Sequence, residues 1–219
     1  MRERAERLAS LSPGKRELIR RQIAERRLDG SELVARALRE CGVTHVYAVA
    51  GQPTEIVLPA CQANTIRPIG VYHQTSAICM ALAHNYQAGG LEAVALVSAG
   101  PAVSNAITGL LVARDNGWPV ILLGGNRSSF QQFDALPIIS HVAKHAFRVT
   151  STNSLQEHVH EAHRIAMSGR PGPVYLDLHE DALTGHARPA SHGEPGTGRN
   201  SAPAIADTDL ERIADALLS

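Results

Sequence analysis

The chain has 219 residues, with 21 basic and 21 acidic side chains and 44% hydrophobic residues. That is enough apolar material for one domain of ordinary size plus tails. A formal net charge of zero gives no electrostatic reason to expect nucleic acid as a partner.

The opening residues, Met1 to Arg7, are charged and lack the apolar stretch of a signal peptide, and no apolar run is long enough to span a bilayer. Residues 1–28 are highly charged. Ser12 and Pro13 mark the start of a helix, as N-cap and first helical residue, and Leu18, Ile19 and Ile23 give it a narrow apolar stripe. It reads as a solvated leading helix on the edge of the domain, with a docking element for another protein as the alternative. Cys41, Cys61 and Cys79 form no Cys-x-x-Cys and fall in predicted helices. They read as reduced core thiols in a cytoplasmic protein.

From residue 29 to 184 helical and strand patterns alternate. Ser31–Cys41 is a predicted helix that stops at Gly42. A strand follows at Thr44–Ala50, a short helix at Pro53–Gln62, a second strand at Ile66–Tyr72, and a helix at Gln74–Gln87 stopped by Gly89-Gly90. Ala93–Ser98 is a continuous apolar strand, Val103–Asn116 a helix, and Val120–Gly124 a buried strand. Ala146–Thr150, Leu155–Ser168 and Val174–Leu178 complete the series as strand, helix and strand. Apolar strands separated by helices predict a three-layer α/β domain, a doubly wound and mainly parallel sheet covered on both faces. Residues 185–219 read as a Gly/Pro/Ser/His-rich linker that leads to one further amphipathic helix from Asp207 to Leu218.

Such sheets bind ligands beyond the C-terminal ends of their strands. Three predicted turns fall there: Ala50-Gly51-Gln52-Pro53, His73-Gln74, and Ser98 to Asn105. Gly51 and Gly100 would allow close approach of the backbone to a ligand, and Asn105 would offer an amide just inside the following helix. No Gly-x-Gly-x-x-Gly and no P-loop is present. Ser98 lies in no Gly-x-Ser-x-Gly elbow, so a hydrolase is not indicated. His158, His160 and His163 share one helix, but only the last two share a face, and they read as solvated histidines, with no metal site.

Seven stretches in order resemble the pyrimidine-binding (PYR) domain of thiamine-diphosphate enzymes of the acetolactate synthase and pyruvate oxidase branch. They are Gly42 to Gly51, Tyr72-His73-Gln74-Thr75-Ser76-Ala77, Ala99-Gly100-Pro101-Ala102-Val103-Ser104-Asn105, Ala113-Arg114-Asp115, Phe130-Gln131-Gln132, Ala143-Lys144-His145, and Gly169-Arg170-Pro171-Gly172-Pro173-Val174. The resemblance implies thiamine diphosphate as cofactor and a decarboxylase or carboligase acting on a 2-keto acid. It places Gly51, Gln74, Gly100 and Asn105 at the cofactor, and His73, Phe130 and Gln131 at the substrate, with Lys144 and His145 as further polar candidates.

The family's catalytic glutamate falls at Gln74. An amide can orient a ring by hydrogen bonding but cannot relay a proton. Two more departures are Ala50, read as replacing a family proline, and Ala102, replacing a glycine. The family holds Mg2+ and the diphosphate on a separate PP domain through Gly-Asp-Gly, which is missing here; Leu28-Asp29-Gly30 comes too early and without strand context. Two explanations fit, a fragment of a longer enzyme or a naturally split one, and the second implies a PP-domain subunit on another chain, carrying the Mg2+, in a homo- or hetero-oligomer such as a PYR dimer joined by PP subunits. A non-catalytic PYR-like subunit that stabilises or regulates its partner is the alternative.

Overall fold

The protein is described by a computed structural model over residues 27–190, with isolated positions at 12, 14, 15, 208, 212 and 216. The leading helix and the terminal helix read from the sequence lie outside the described residues.

The elements run in the expected order. β1 (Leu28–Asp29) leads into α1 (Gly30–Glu40), then β2 (His45–Val49) and a 3-10 turn at Thr54–Ile56 that continues as α2 (Val57–Ala63). β3 (Arg67–Gly70), α3 (Gln74–Ala88), β4 (Ala93–Ala99), α4 (Pro101–Asn116) and β5 (Val120–Asn126) follow. α5 (Leu136–Ile139), β6 (His145–Val149), α6 (Leu155–Met167), β7 (Pro173–His179), α7 (Glu180–Thr184) and β8 (His186–Ala187) complete the described chain.

Six strands form one parallel sheet in the order β3-β2-β4-β5-β7-β6. Successive residues of each strand face opposite sides. Val94 and Leu96 of β4, Ile121 and Leu123 of β5, and Val174 and Leu176 of β7 pack under α1, α2 and α6. Ala95, Val97, Leu122 and Tyr175 face the other side, under α3 and α4. The two layers of helix explain why the central strands β4 and β5 read as apolar runs, while the edge strands β3 and β6 carry exposed polar residues.

Local chemistry sets the helix ends. The His73 imidazole caps α3 by accepting from the Thr75 N–H, and Gly89 closes it in a left-handed conformation. Pro101 opens α4 at its first turn, two residues earlier than the apolar periodicity shows, and Gly117 ends it. Asn85, buried in α3, donates to the Ala93 and Pro119 carbonyls and accepts from the Glu92 and Ala93 N–H groups, so it fixes the start of β4 against α3.

The segment Leu28-Asp29-Gly30 does have strand context. Leu28 and Asp29 pair antiparallel with Ala187 and His186 in a two-stranded ribbon, so part of the stretch read as linker is strand. The Asp29 carboxylate is used as the N-cap of α1, accepting from Glu32 N–H and Ser31 Oγ, which leaves it a structural role.

The cysteines divide. Cys61 is buried, Cys41 half-buried and Cys79 exposed, which corrects the reading of all three as core thiols. Burial pushes the thiols of Cys41 and Cys61 up to about 12, with Glu40 adding to the effect at Cys41. Only the thiolate is nucleophilic. We therefore expect iodoacetamide at pH 8 to modify Cys79 alone in the folded chain; modification of Cys61 at a similar rate would show that its helix opens readily.

Candidate active site

The connection from β2 runs to β3 on one side, whereas that from β4 runs to β5 on the other. A sheet with such a reversal opens a crevice at the C-terminal ends of its strands. The turns after β2, β3, β4 and β5 all end there.

Gln74 is the first residue of α3 and Asn105 lies in the second turn of α4. The structure brings them together: Asn105 Nδ2 donates to Gln74 Oε1 at 3.3 Å. Thr75 Oγ1 donates to the Asn105 carbonyl at 2.7 Å, which ties the two helix starts to each other. With Gln74 Oε1 engaged, the side chain offers its amide N–H groups to a ligand.

Gly51 and Gly100 are explained first by the chain itself. A Cβ on Gly51 would lie 2.8 Å from Ser98 Cβ. Gly100 has φ 65° and ψ −120°, and a Cβ there would lie 2.6 Å from the Gln131 carbonyl oxygen. Gln131 is itself in a left-handed conformation, with φ 62°. The segment after β5 is therefore seated directly on the turn after β4. Together they form a groove of 380 Å³ lined by Pro101, Ser104, Phe130, Gln131, Gln132 and Phe133. Phe130 is 72% exposed at its mouth.

β2 ends at Val49, and the turn Ala50-Gly51-Gln52-Pro53 follows it. Pro53 packs against Gly125, where an added Cβ would come within 2.5 Å of Pro53 Cδ. Thr54, fully buried, donates to the carbonyls of Gly51 and Val97 and locks the turn to β4.

Other expected site residues lie elsewhere. Lys144 precedes β6 and is at the opposite end of the sheet. Its ammonium donates to the Ile165 carbonyl in the last turn of α6 and to the Ser168 and Arg170 carbonyls just beyond it, a helix-terminating role. His145 begins β6 at that same end, its ring 4.3 Å from that of Phe147. The three histidines of α6 are half-buried rather than solvated. His158 contacts the Ser154 carbonyl through Nδ1 and meets Phe147 edge-on, while His160 Nε2 lies 3.2 Å from Glu40 Oε2. No group of three or more metal-binding side chains occurs among the described residues.

Sequence reasoning passed over two carboxylates at the ligand end. Asp177, at 1% exposure, accepts from Tyr175 Oη, Asn126 Nδ2 and Arg148 Nε. Burial, and then the adjacent Asp177, push the Tyr175 phenol well above its ordinary value. Glu55, one residue beyond Thr54, has a buried Oε2 with no hydrogen-bond partner. An unsatisfied buried oxygen costs stability. Glu55→Met, which removes the unpaired oxygen at similar length, is expected to raise stability by about 1 kcal/mol, or ~2–4 °C in thermal midpoint; a fall of that size would show that the carboxylate is paired in solution.

Ser128, His179 and Asp181 resemble a hydrolytic triad at first sight. Ser128 Oγ is 2.9 Å from His179 Nε2, and Asp181 Oδ2 is 3.4 Å from His179 Nδ1. However, His179 Nδ1 accepts the Asp181 backbone N–H to cap α7. The ring proton is then on Nε2, which donates to Ser128 and cannot take its proton.

The donor set at the crevice fits a neutral heteroaromatic ring. It has an amide pair, backbone groups beside two glycines and an uncharged groove, and it holds no carboxylate at position 74 for proton relay. The comparisons agree with this class of ligand. The family described as thiamine pyrophosphate enzyme, N-terminal TPP binding domain, matches residues 28–159. The catabolic acetolactate synthase of Raoultella terrigena is 35% identical over 165 residues, which cover 72% of this chain and 29% of that protein. Oxalyl-CoA decarboxylase of Escherichia coli (strain K12) is 32% identical over 164 residues, 71% of this chain and 29% of the relative. For 2-hydroxyacyl-CoA lyase of Arabidopsis thaliana the values are 31% over 163 residues, 71% and 28%. The aligned part of the chain thus spans under a third of the length of these relatives. On the match over residues 28–159, the chain belongs to the thiamine pyrophosphate enzymes and carries their N-terminal TPP-binding domain.

Proposed function

We propose that this chain is the pyrimidine-binding half of a thiamine-diphosphate enzyme that decarboxylates a 2-keto acid and transfers or ligates the acyl fragment. A partner polypeptide supplies the PP half, with its Mg2+ and phosphate-binding residues. The observation that carries this reading is the convergence of Gln74, Asn105, Gly51 and Gly100 at the C-terminal ends of the strands, beside the Phe130–Gln131 groove.

Thiamine diphosphate supplies a carbon nucleophile that adds to keto acids and stabilises the carbanion left by loss of CO2. The part of this chain is to hold one ring of it. Gln74 would donate through its amide to a ring nitrogen while Asn105 fixes its rotamer. Gln131 and Phe130 would wall the space where the acyl group sits, and His73, exposed and committed to capping α3, would border it.

The outer surface of α3 and α4 supports a partner chain. Met80, Tyr86 and Val112 are 42%, 69% and 37% exposed. Tyr86 and Trp118, with ring centroids 5.1 Å apart, flank an apolar groove of 430 Å³ that also holds Cys79, Leu82 and Ala83. A contiguous apolar surface of this kind marks an interaction site, and it lies toward the C-terminal ends of the same two helices whose starts carry Gln74 and Asn105. The docked partner should shield Cys79 from alkylation.

The experiment is co-purification with a chain that bears Gly-Asp-Gly, followed by turnover assays on a panel of 2-keto acids. Turnover by the complex and not by either chain alone is expected. A tight complex with no turnover of any keto acid would favour the second reading, a non-catalytic subunit, for which the amide at position 74 is the specific observation.

A further inference from the structure

The segment from Arg127 to Asp134 joins β5 to α5 with little regular structure of its own, yet it is tied at both ends. At its start, Arg127 Nε contacts Glu180 Oε2 at 3.3 Å, and the Ser128 N–H donates to Glu180 Oε1 at 3.1 Å. At its end, Asp134 accepts from Arg148 Nη2. Between the ties, Gln131 is seated over Gly100 with its backbone in the left-handed region.

Arg148 is the link between this segment and the core. It lies in β6 directly opposite Asp177 of β7, and Arg148 Nε donates to Asp177 Oδ2 at 3.0 Å. Asp177 is held in turn by Tyr175 Oη at 3.0 Å and Asn126 Nδ2 at 2.8 Å. Asn126 is the last residue of β5, immediately before the segment. The buried carboxylate thus organises the ends of β5, β6 and β7. One guanidinium carries that order outwards to Asp134, with its planar donors aimed at two carboxylates at once.

We propose that Arg148 is a positioning residue: by bridging Asp177 and Asp134 it holds segment 127–134 down on Gly100 and so sets the width of the Phe130–Gln131 groove. The consequence for a ligand in that groove rests on the reading under Proposed function; the consequence for the segment does not. If the outer tie is cut, the segment lifts about its remaining anchors at Glu180 and His179, and Gln131 leaves the turn after β4. The sheet beneath keeps its own network.

The test uses the full chain. Asp134→Ala cuts only the outer contact and leaves the Arg148–Asp177 pair, so folding is preserved. Amide hydrogen exchange, read by mass spectrometry, is expected to quicken roughly two- to fivefold at Gln132, whose N–H donates to the Ser129 carbonyl, while α3 and α4 exchange as before. Asp134→Glu should restore slow exchange, which the loss of a generic surface charge would not require. Unchanged exchange in Asp134→Ala overturns the proposal, as does equal quickening throughout the chain.

A second measurement is made on the complex with the partner chain. Asp134→Ala should raise KM for the keto acid roughly threefold or more, with kcat within about twofold, because the wall of the groove moves and the cofactor end does not. Unaltered KM overturns the link between Arg148 and the groove. A wild-type complex without turnover would count against the proposed enzyme, and the exchange measurement would still decide the role of Arg148.

Discussion

Replacing Gln74 by glutamate is expected to speed exchange of the cofactor's thiazolium proton for deuterium by roughly 10²-fold in the assembled complex. That is the low end of what a positioned acid–base group contributes. The geometry allows the change. Gln74 Oε1 already accepts from Asn105 Nδ2, and a carboxylate oxygen can accept the same bond. The other oxygen then replaces the amide nitrogen, which can donate a proton but cannot take one back. Thr75, bonded to the Asn105 carbonyl, keeps the two helices in register. A slower exchange in the Gln74→Glu variant would mean that an active pocket is built around the amide.

Gly100→Ala should destabilise the chain by about 3–5 kcal/mol, measured as a lowered denaturant midpoint at unchanged slope. Two costs add. The φ of 65° with ψ −120° is strained for any residue with a Cβ, and the Cβ would meet the Gln131 carbonyl oxygen at 2.6 Å and Gln131 Cβ at 2.9 Å. Relief would require the segment 127–134 to lift, against the ties at Glu180 and Arg148. A loss below about 1 kcal/mol would show that the segment moves away easily, contrary to the seated geometry.

The sheet was legible because its central strands are continuous apolar runs separated by helical patterns that end in glycine. β4 reads as Ala93 to Ser98 with no polar interruption and is buried along that length except at Ser98. The ends of α3 were legible for a local reason: Gln74 follows an extended residue, and Gly89 permits the left-handed stop. β1 and β8 escaped notice, since two residues carry no periodicity and their pairing joins positions far apart in the chain. The Arg148–Asp177 pair depends on the register of β6 against β7, which no local pattern encodes. Cys79 looked apolar in a helix that is apolar on its outer side too, so periodicity could not tell the buried face from the exposed one.

Gln74, Asn105, Gly51 and Gly100 could be gathered at one end of the sheet because each follows a strand, whereas Gln131 entered only through the family resemblance. Lys144 could have been set aside on the same argument. A residue that precedes a parallel strand lies at the end away from the ligand, and there its ammonium binds carbonyls in the last turn of α6 and just beyond it. Glu55 could not be read, since its significance lies in an oxygen that the fold buries without a partner.

The central claim is that this chain is half of a cofactor pocket that a partner chain completes. Calorimetric titration of thiamine diphosphate with Mg2+ tests it most directly, into the chain alone and into its complex with a Gly-Asp-Gly-bearing chain. Saturable binding of one cofactor per PYR subunit in the complex, with none detected for the isolated chain, is the expected result. Equally tight binding by the isolated chain, or none by the complex, would contradict it.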